Sequence, residues 1–259
     1  MPLQALEPQR LYRQIAEQLR SAIEAGEYAV GARLPAERDL AKQLGVSRPS
    51  VREALIALEV EAWVEVRTGS GVYVLERSGA NRLAATELTP AEWGPLELIR
   101  ARRVVEGETA AIAATRAKRR DTDAMHSAID TMVADADQGV MPLESDRAFH
   151  TAIVQAGGNC VLIETVQTFW DSRRGPVFMR LGGHFEAVQS WRAAIVEHQA
   201  ILEAIRARDA PSARTAMHLH MDKSHARFSA SWRRTKRNYN CATPAPQPSE
   251  FHFQPRRQA

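Results

Sequence analysis

Apolar residues recur at three- and four-residue spacing in three short stretches near the start of the chain, and then the pattern changes character. Over 10–25 (RLYRQIAEQLRSAIEA) they fall at Leu11, Ile15, Leu19, Ala22 and Ile23, an amphipathic helix that Gly26 ends. Pro35 opens a second helix whose apolar face is Leu40, Ala41 and Leu44, and Gly45 stops it. Ser47 is a natural N-cap for a third helix carrying Val51, Ala54, Leu55 and Leu58. The segment WVEVRTGSGVYVL then alternates apolar and polar residues on both sides of Thr68-Gly69-Ser70-Gly71, which predicts a β-hairpin. Three helices followed by a hairpin make a winged helix-turn-helix over 8–76.

The periodicity lapses over 77–94, where Ser78-Gly79, Asn81 and Pro90 read as a linker. From 95 to 233 nearly every stretch is helical in period. Helices are expected at 95–117, 121–136, 142–157, 160–182, 187–208 and 211–232, separated at Gly139, Gly157-Gly158, Gly182-Gly183 and Pro211. With no strand pattern there, the second domain is predicted to be an all-α bundle, and the fold as a whole mainly α. The remaining 234–259 has no periodicity and reads as a disordered basic tail.

Composition narrows the class. A chain of 259 residues with 44% apolar and 25% charged residues suits two globular domains. No window is apolar enough to span a membrane, and the first residues lack a secretory h-region. Cys160 and Cys241 stand in unlike contexts, which fits a reducing cytoplasm better than a disulfide framework. The net charge of +3 comes from the tail, where residues 233–259 hold six Lys/Arg against one Glu. Any claim of nucleic-acid binding must therefore rest on individual arginines.

In a helix-turn-helix the second helix enters the major groove with its first residues at the base edges. Here it begins with Ser47, Arg48, Pro49, Ser50, Val51 and Arg52. Arg48 and Arg52 are four apart and share a face, and each guanidinium matches guanine bidentately. Ser47 and Ser50 suit phosphate contacts, Arg38 can reach the backbone or a base, and Gly69 and Gly71 let the wing approach the minor groove. The plainer alternative is that these arginines are solvated charges pairing with Glu37, Asp39 or Glu53. A dimer on a pseudo-palindromic operator is expected, because one helix reads too few base pairs. The motif LPAERDLA…LGVSRPSVREAL…VEVRTGSGVYV resembles the GntR family of bacterial transcription regulators. One departure is Ala62, where the family usually has Gly at the end of the recognition helix.

In the second domain, Asp146 and His150 lie at i and i+4 of one helix. His198 precedes Ala210 by 12 residues and His220 follows it by 10. In an antiparallel pair these heights agree to within about 3 Å, so one carboxylate and three imidazoles can converge. That donor set suits a divalent ion, zinc first, with nickel or manganese as alternatives. His218 rivals His220 but points to another face; His126, His184, His225 and His252 have no partner at useful spacing. Arg102, Arg173 and Arg174 are candidates to hold the carboxylate of a small acid effector. Arg102 is equally well placed to pair with Glu106.

IRARRVVE at 99–106, DRAFH at 146–150, Gly157-Gly158-Asn159, HQAIL at 198–202 and ARTAMHLH at 213–220 resemble the FCD effector domain of the FadR branch of that family. Many members of that branch bind a metal through one Asp and three His. More narrowly, the Trp63–Val74 wing, WGPLEL at 93–98 and the Trp191…Glu197-His198 segment resemble the hexuronate-utilisation regulators of proteobacteria. The resemblance implies a transcription regulator, generally a repressor, answering to a hexuronate. Other acids open at this stage are lactate, another hydroxy acid, an amino acid or a fatty acyl ligand. A metal-dependent hydrolase or lyase is the rival class, and the sequence offers neither HExxH nor GxSxG for it.

Overall fold

The computed structural model describes residues 10–76 and 93–229. The expected linker therefore lies almost wholly outside the described residues, and the basic tail wholly so. The N-terminal unit consists of α1 (Leu11–Glu24), α2 (Glu37–Leu44), α3 (Arg48–Val60) and the antiparallel pair β1 (Val64–Arg67) and β2 (Gly71–Val74). Val64 pairs with Val74 and Val66 with Val72, which places all four valines on the buried face of the wing. Ser47 caps α3 by accepting from the Ser50 amide at 3.3 Å. The helix ends with Ala62 in the left-handed region (φ 56°) and the Trp63 amide donating to the Leu58 carbonyl at 2.8 Å. The turn that favours glycine is thus kept with an alanine in it.

The second unit is a bundle of α4 (Pro95–Arg116), α5 (Arg119–Asp137), α6 (Leu143–Gly157), α7 (Cys160–Ser172), α8 (Pro176–Phe185), α9 (Val188–Arg206) and α10 (Ala210–Ser229). One expectation needs correcting: 160–182 is two helices. Proline 176 has no N–H to donate and its ring would clash with the preceding turn, so the chain breaks at Gly175 and Pro176 becomes the first residue of α8. Gly182 and Gly183, expected to end the helix, are carried inside α8 instead. At the other end of the bundle, Asp209 accepts from the Ser212 amide at 3.0 Å and starts α10 after a tight turn from α9.

The bundle core is built from Met125, Ile129, Met132, Phe149, Ile153, Ile201, Leu202, Ile205, Met217 and Met221. The core of the winged unit does not stop at the domain boundary. Leu96, Leu98 and Ile99 of α4, Val177, Phe178 and Leu181 of α8, and Phe228 of α10 join Val51, Leu55 and Leu58 of α3 in one apolar cluster. α3 therefore has two working ends, an exposed start and a rear half sealed against the bundle. No described helix is long and apolar enough to cross a membrane.

Candidate functional site: a metal-type cluster and a nucleic-acid face

Asp146 and His150 on α6, His198 on α9 and His220 on α10 come together in the bundle interior. All four are buried, and one ligand atom from each lies within 4.8 Å of the others. His198 Nε2 is 3.1 Å from Asp146 Oδ1, His150 Nε2 is 3.5 Å from the same oxygen, and the two Nε2 atoms are 3.3 Å apart. The His198 and His220 rings stand 4.4 Å apart, centroid to centroid, as the helix-hairpin geometry requires. His218 points elsewhere, to the backbone of Gly107.

Each of two imidazoles is oriented by a carboxylate that the sequence did not pair with a histidine. Glu106 on α4 meets His150 Nδ1 at 2.5 Å, and Glu197 on α9 meets His220 Nδ1 at 2.8 Å. With Nδ1 engaged, Nε2 of each ring is left facing the cluster, the arrangement that fixes tautomer and direction in metal-ligating histidines. Burial pushes Glu106 up, but Arg102 and His150 outweigh it and hold the carboxyl down to about 2. Burial likewise opposes ionisation of Asp146, yet His150, His198 and Arg173 keep it well below the usual carboxylate range. Burial pushes His198 down, and burial with the neighbouring imidazoles pushes His220 down further. Burial opposes the charge on His150 too, but Glu106 and Asp146 outweigh it and push that imidazole up. An ionised carboxylate beside two imidazoles that resist protonation suits a divalent cation, whose binding would displace the proton from His150. Asp146 Oδ1 is buried and faced by the Nε2 atoms of His198 and His150, with no well-formed hydrogen bond to either among the described residues. The residues present fit a divalent ion.

Beside the cluster is a cavity of about 150 Å³, lined by Met141, Leu143, Glu144, Arg147, Trp170, Arg173, Arg174, Phe178, Met179, Gly182 and Glu186. A cavity of about this volume accommodates a six-membered ring. Arg173 is the connection between the two. Its Nη1 donates to Asp146 Oδ2 at 2.8 Å, its Nη2 lies 3.7 Å from Glu186, and its guanidinium lies 4.6 Å from the centre of the Trp170 ring. Arg174 lines the rim, exposed and paired with Glu144 at 2.8 Å. Arg102, the other candidate to hold an effector carboxylate, does not line this cavity. It is buried behind the cluster, donating to Glu106 at 2.6 Å and stacked over Trp170 at 4.3 Å. Its role there is to neutralise the carboxylate that orients His150. The pairing with Glu106 is the one the sequence offered, in the interior rather than on the surface.

The candidate nucleic-acid face is a groove between the starts of α2 and α3 and the wing. Arg33, Arg38, Arg48, Arg67, Gly69 and Gly71 line it. Arg48 is half exposed, Arg38 is exposed and paired with Asp39 at 3.1 Å, and the Ser47 and Ser50 hydroxyls are 2.9 Å apart. Gly71 has φ 136°, which favours glycine, and a Cβ there would lie 2.4 Å from Arg33 Nε, so the Arg33 side chain would have to move. Arg33 and Arg67 were not foreseen. Arg67 ends β1 with its guanidinium 4.5 Å from the centre of the Tyr73 ring, and the strand alternation was the signal that could have placed it.

Arg52, expected beside Arg48 on the DNA side, is buried in this structure. Its side chain is 1% exposed. Nε and Nη2 donate to the two Glu37 oxygens at 2.7 Å each, Nη1 donates to the Phe228 carbonyl at 2.8 Å, and the Phe185 ring lies 5.1 Å away. The effector domain covers the position, which no pattern within 47–60 could reveal. His184 is also partnered, its Nε2 2.7 Å from Glu59 of α3.

The sequence matches "FCD domain" over residues 97–223 and "Bacterial regulatory proteins, gntR family" over residues 11–74. The Exu regulon transcriptional regulator of Escherichia coli (strain K12) is 36% identical over 226 residues, covering 86% of each chain. The Uxu operon transcriptional regulator of the same strain is 34% identical over 229 residues, covering 86% of this chain and 89% of its own. A regulatory protein provisionally named for an L-lactate dehydrogenase operon in that strain is 33% identical over 225 residues, covering 84% of this chain and 86% of its own. This chain belongs to the gntR family of bacterial regulatory proteins, with an FCD effector domain, and is a transcription regulator rather than an enzyme.

Proposed function

We propose that this gntR-family regulator is a cytoplasmic, dimeric repressor of a sugar-acid utilisation operon, and that a hexuronate or its keto isomer is the signal it senses. The observation that carries this reading is the junction of Asp146, His150, His198 and His220 with a ring-sized cavity through Arg173. The relatives named for the Exu and Uxu systems support the choice of acid. Regulators of this family bind operator DNA and small-molecule effectors, so the groove at Arg48 and the cavity at Arg173 have complementary tasks.

Asp146, His150, His198 and His220 would hold a divalent ion, zinc or else nickel or manganese, whose open positions would accept a carboxylate and an adjacent hydroxyl oxygen. Glu106 and Glu197 keep the ligating nitrogens aimed inward, and Arg102 keeps Glu106 ionised. Arg173 stands where it can pass from Asp146 to an incoming carboxylate, a bidentate match that a guanidinium favours. Trp170, Phe178 and Met179 supply apolar surface for one face of a sugar ring.

The reading is tested by thermal denaturation of zinc-loaded protein with galacturonate, glucuronate, their keto isomers and lactate. A ligand that binds only the folded state raises stability by about 2.7 kcal/mol at a hundred times its Kd. A rise with a hexuronate is the expected result. A rise with lactate and none with any hexuronate would assign the pocket to another acid, in line with the third relative.

A further inference from the structure

The rear half of α3 is fastened to the effector domain by four polar contacts as well as by the shared core. Arg52 donates to the Phe228 carbonyl at the end of α10, Glu53 accepts from the Leu96 amide at the start of α4 (2.6 Å), and Glu59 meets His184 (2.7 Å) and Arg180 (3.0 Å) of α8. α8 is only ten residues long, and its two sides serve different partners. Phe178, Met179 and Gly182 wall the cavity beside the cluster, while Arg180, His184 and Phe185 face α3.

We propose that α8 and the end of α10 form a clasp that withholds a second base-reading arginine, Arg52, from DNA. Arg52 lies one helical turn after Arg48 on the same face of α3. Arg48 is half exposed at the groove, 3.7 Å from Glu37, but Arg52 is closed off by a bidentate pair with Glu37, the Phe228 carbonyl and the Phe185 ring. In this arrangement one arginine of the pair can meet a base edge. Full recognition requires the clasp to open, so the apparent affinity for operator is reduced by the fraction of molecules that are open. Because α8 also walls the cavity, an occupant there biases the same equilibrium, and this last step alone rests on the proposed function.

The test uses the full-length protein with no acid added, so it stands whether or not the pocket takes a hexuronate. Binding is followed by fluorescence anisotropy, at one fixed salt concentration, on a duplex enriched from a random pool by the wild-type protein. The double variant Arg180→Ala/His184→Ala removes the α8 partners of Glu59, leaves the Val66 amide on it, and does not touch the groove or the cluster. It should bind about tenfold more tightly, within the worth of one bidentate arginine–guanine contact. Adding Arg52→Ala should cancel that gain. Phe185→Leu, which keeps apolar bulk but removes the ring over Arg52, should tighten binding in the same direction, and it decides the matter if the double variant loses cooperative melting. Unchanged or weaker binding by a folded variant would overturn the proposal, as would a gain that survives Arg52→Ala.

Discussion

At the scale of single residues, the four cluster members were legible because each follows from helix geometry. An i, i+4 pair shares a face, and two positions equidistant from a helical turn share a height. Glu106 and Glu197 were not legible as partners of histidines, since which carboxylate meets which imidazole depends on how α4, α6, α9 and α10 pack together. Their role is testable. Glu197→Gln keeps an oxygen near His220 Nδ1 but removes the charge that holds it, and such partners are worth about 10- to 100-fold in metal affinity. Zinc titration against a competing chelator should show that loss while the melting curve stays cooperative. Ala62 offers a second residue-scale prediction. With φ at 56°, Ala62→Gly relieves the left-handed strain and should raise stability by about 0.5–1 kcal/mol, read from the denaturant midpoint.

At the scale of elements, the winged unit could be read from its pattern because its caps, turns and alternation are all local. The break between α7 and α8 was missed because apolar periodicity runs through 160–182 without a pause. Pro176 overrides that pattern by steric conflict. The start of α4 shows the opposite case, an element completed from outside. Its own N-cap, Gly94, supplies no side chain, and the cap is Glu53 of α3, whose carboxyl accepts from the Leu96 amide across the domain boundary. Burial pushes the Glu53 carboxyl up to about 7, outweighing the Leu96 amide and Arg100, which favour its charge. The folded protein thus holds this proton more tightly than the unfolded chain does. The stability tied to it is fully present below pH 4.5 and is lost as pH rises through about 7. Glu53→Gln keeps an acceptor for the Leu96 amide without the buried charge. It should match wild type at low pH and exceed it by up to about 3 kcal/mol near pH 8. A constant difference between the two proteins across the pH range would show that Glu53 does not titrate with folding.

At the scale of the whole molecule, the two functions are joined by a common core rather than set side by side. The apolar cluster that holds α3 in place includes α8, and α8 lines the cavity that Arg173 connects to the histidine cluster. A change of packing at the cavity therefore has a short physical route to the helix proposed to meet DNA, and a ligand shifts DNA affinity by as much as it favours one packing over the other. None of this could be read from periodicity, which marks the faces of helices but not which domain covers them. The most direct test of a metal-dependent acid sensor is an anisotropy titration of operator-enriched duplex with galacturonate, glucuronate and their keto isomers. It compares zinc-loaded wild type with His198→Ala/His220→Ala. In the wild type one of these acids should weaken DNA binding by at least about tenfold, in the range of ordinary allosteric coupling. The double variant should bind the duplex as the wild type does without acid, and ignore the acid. An equal response to acid in both proteins would contradict the cluster's part in sensing.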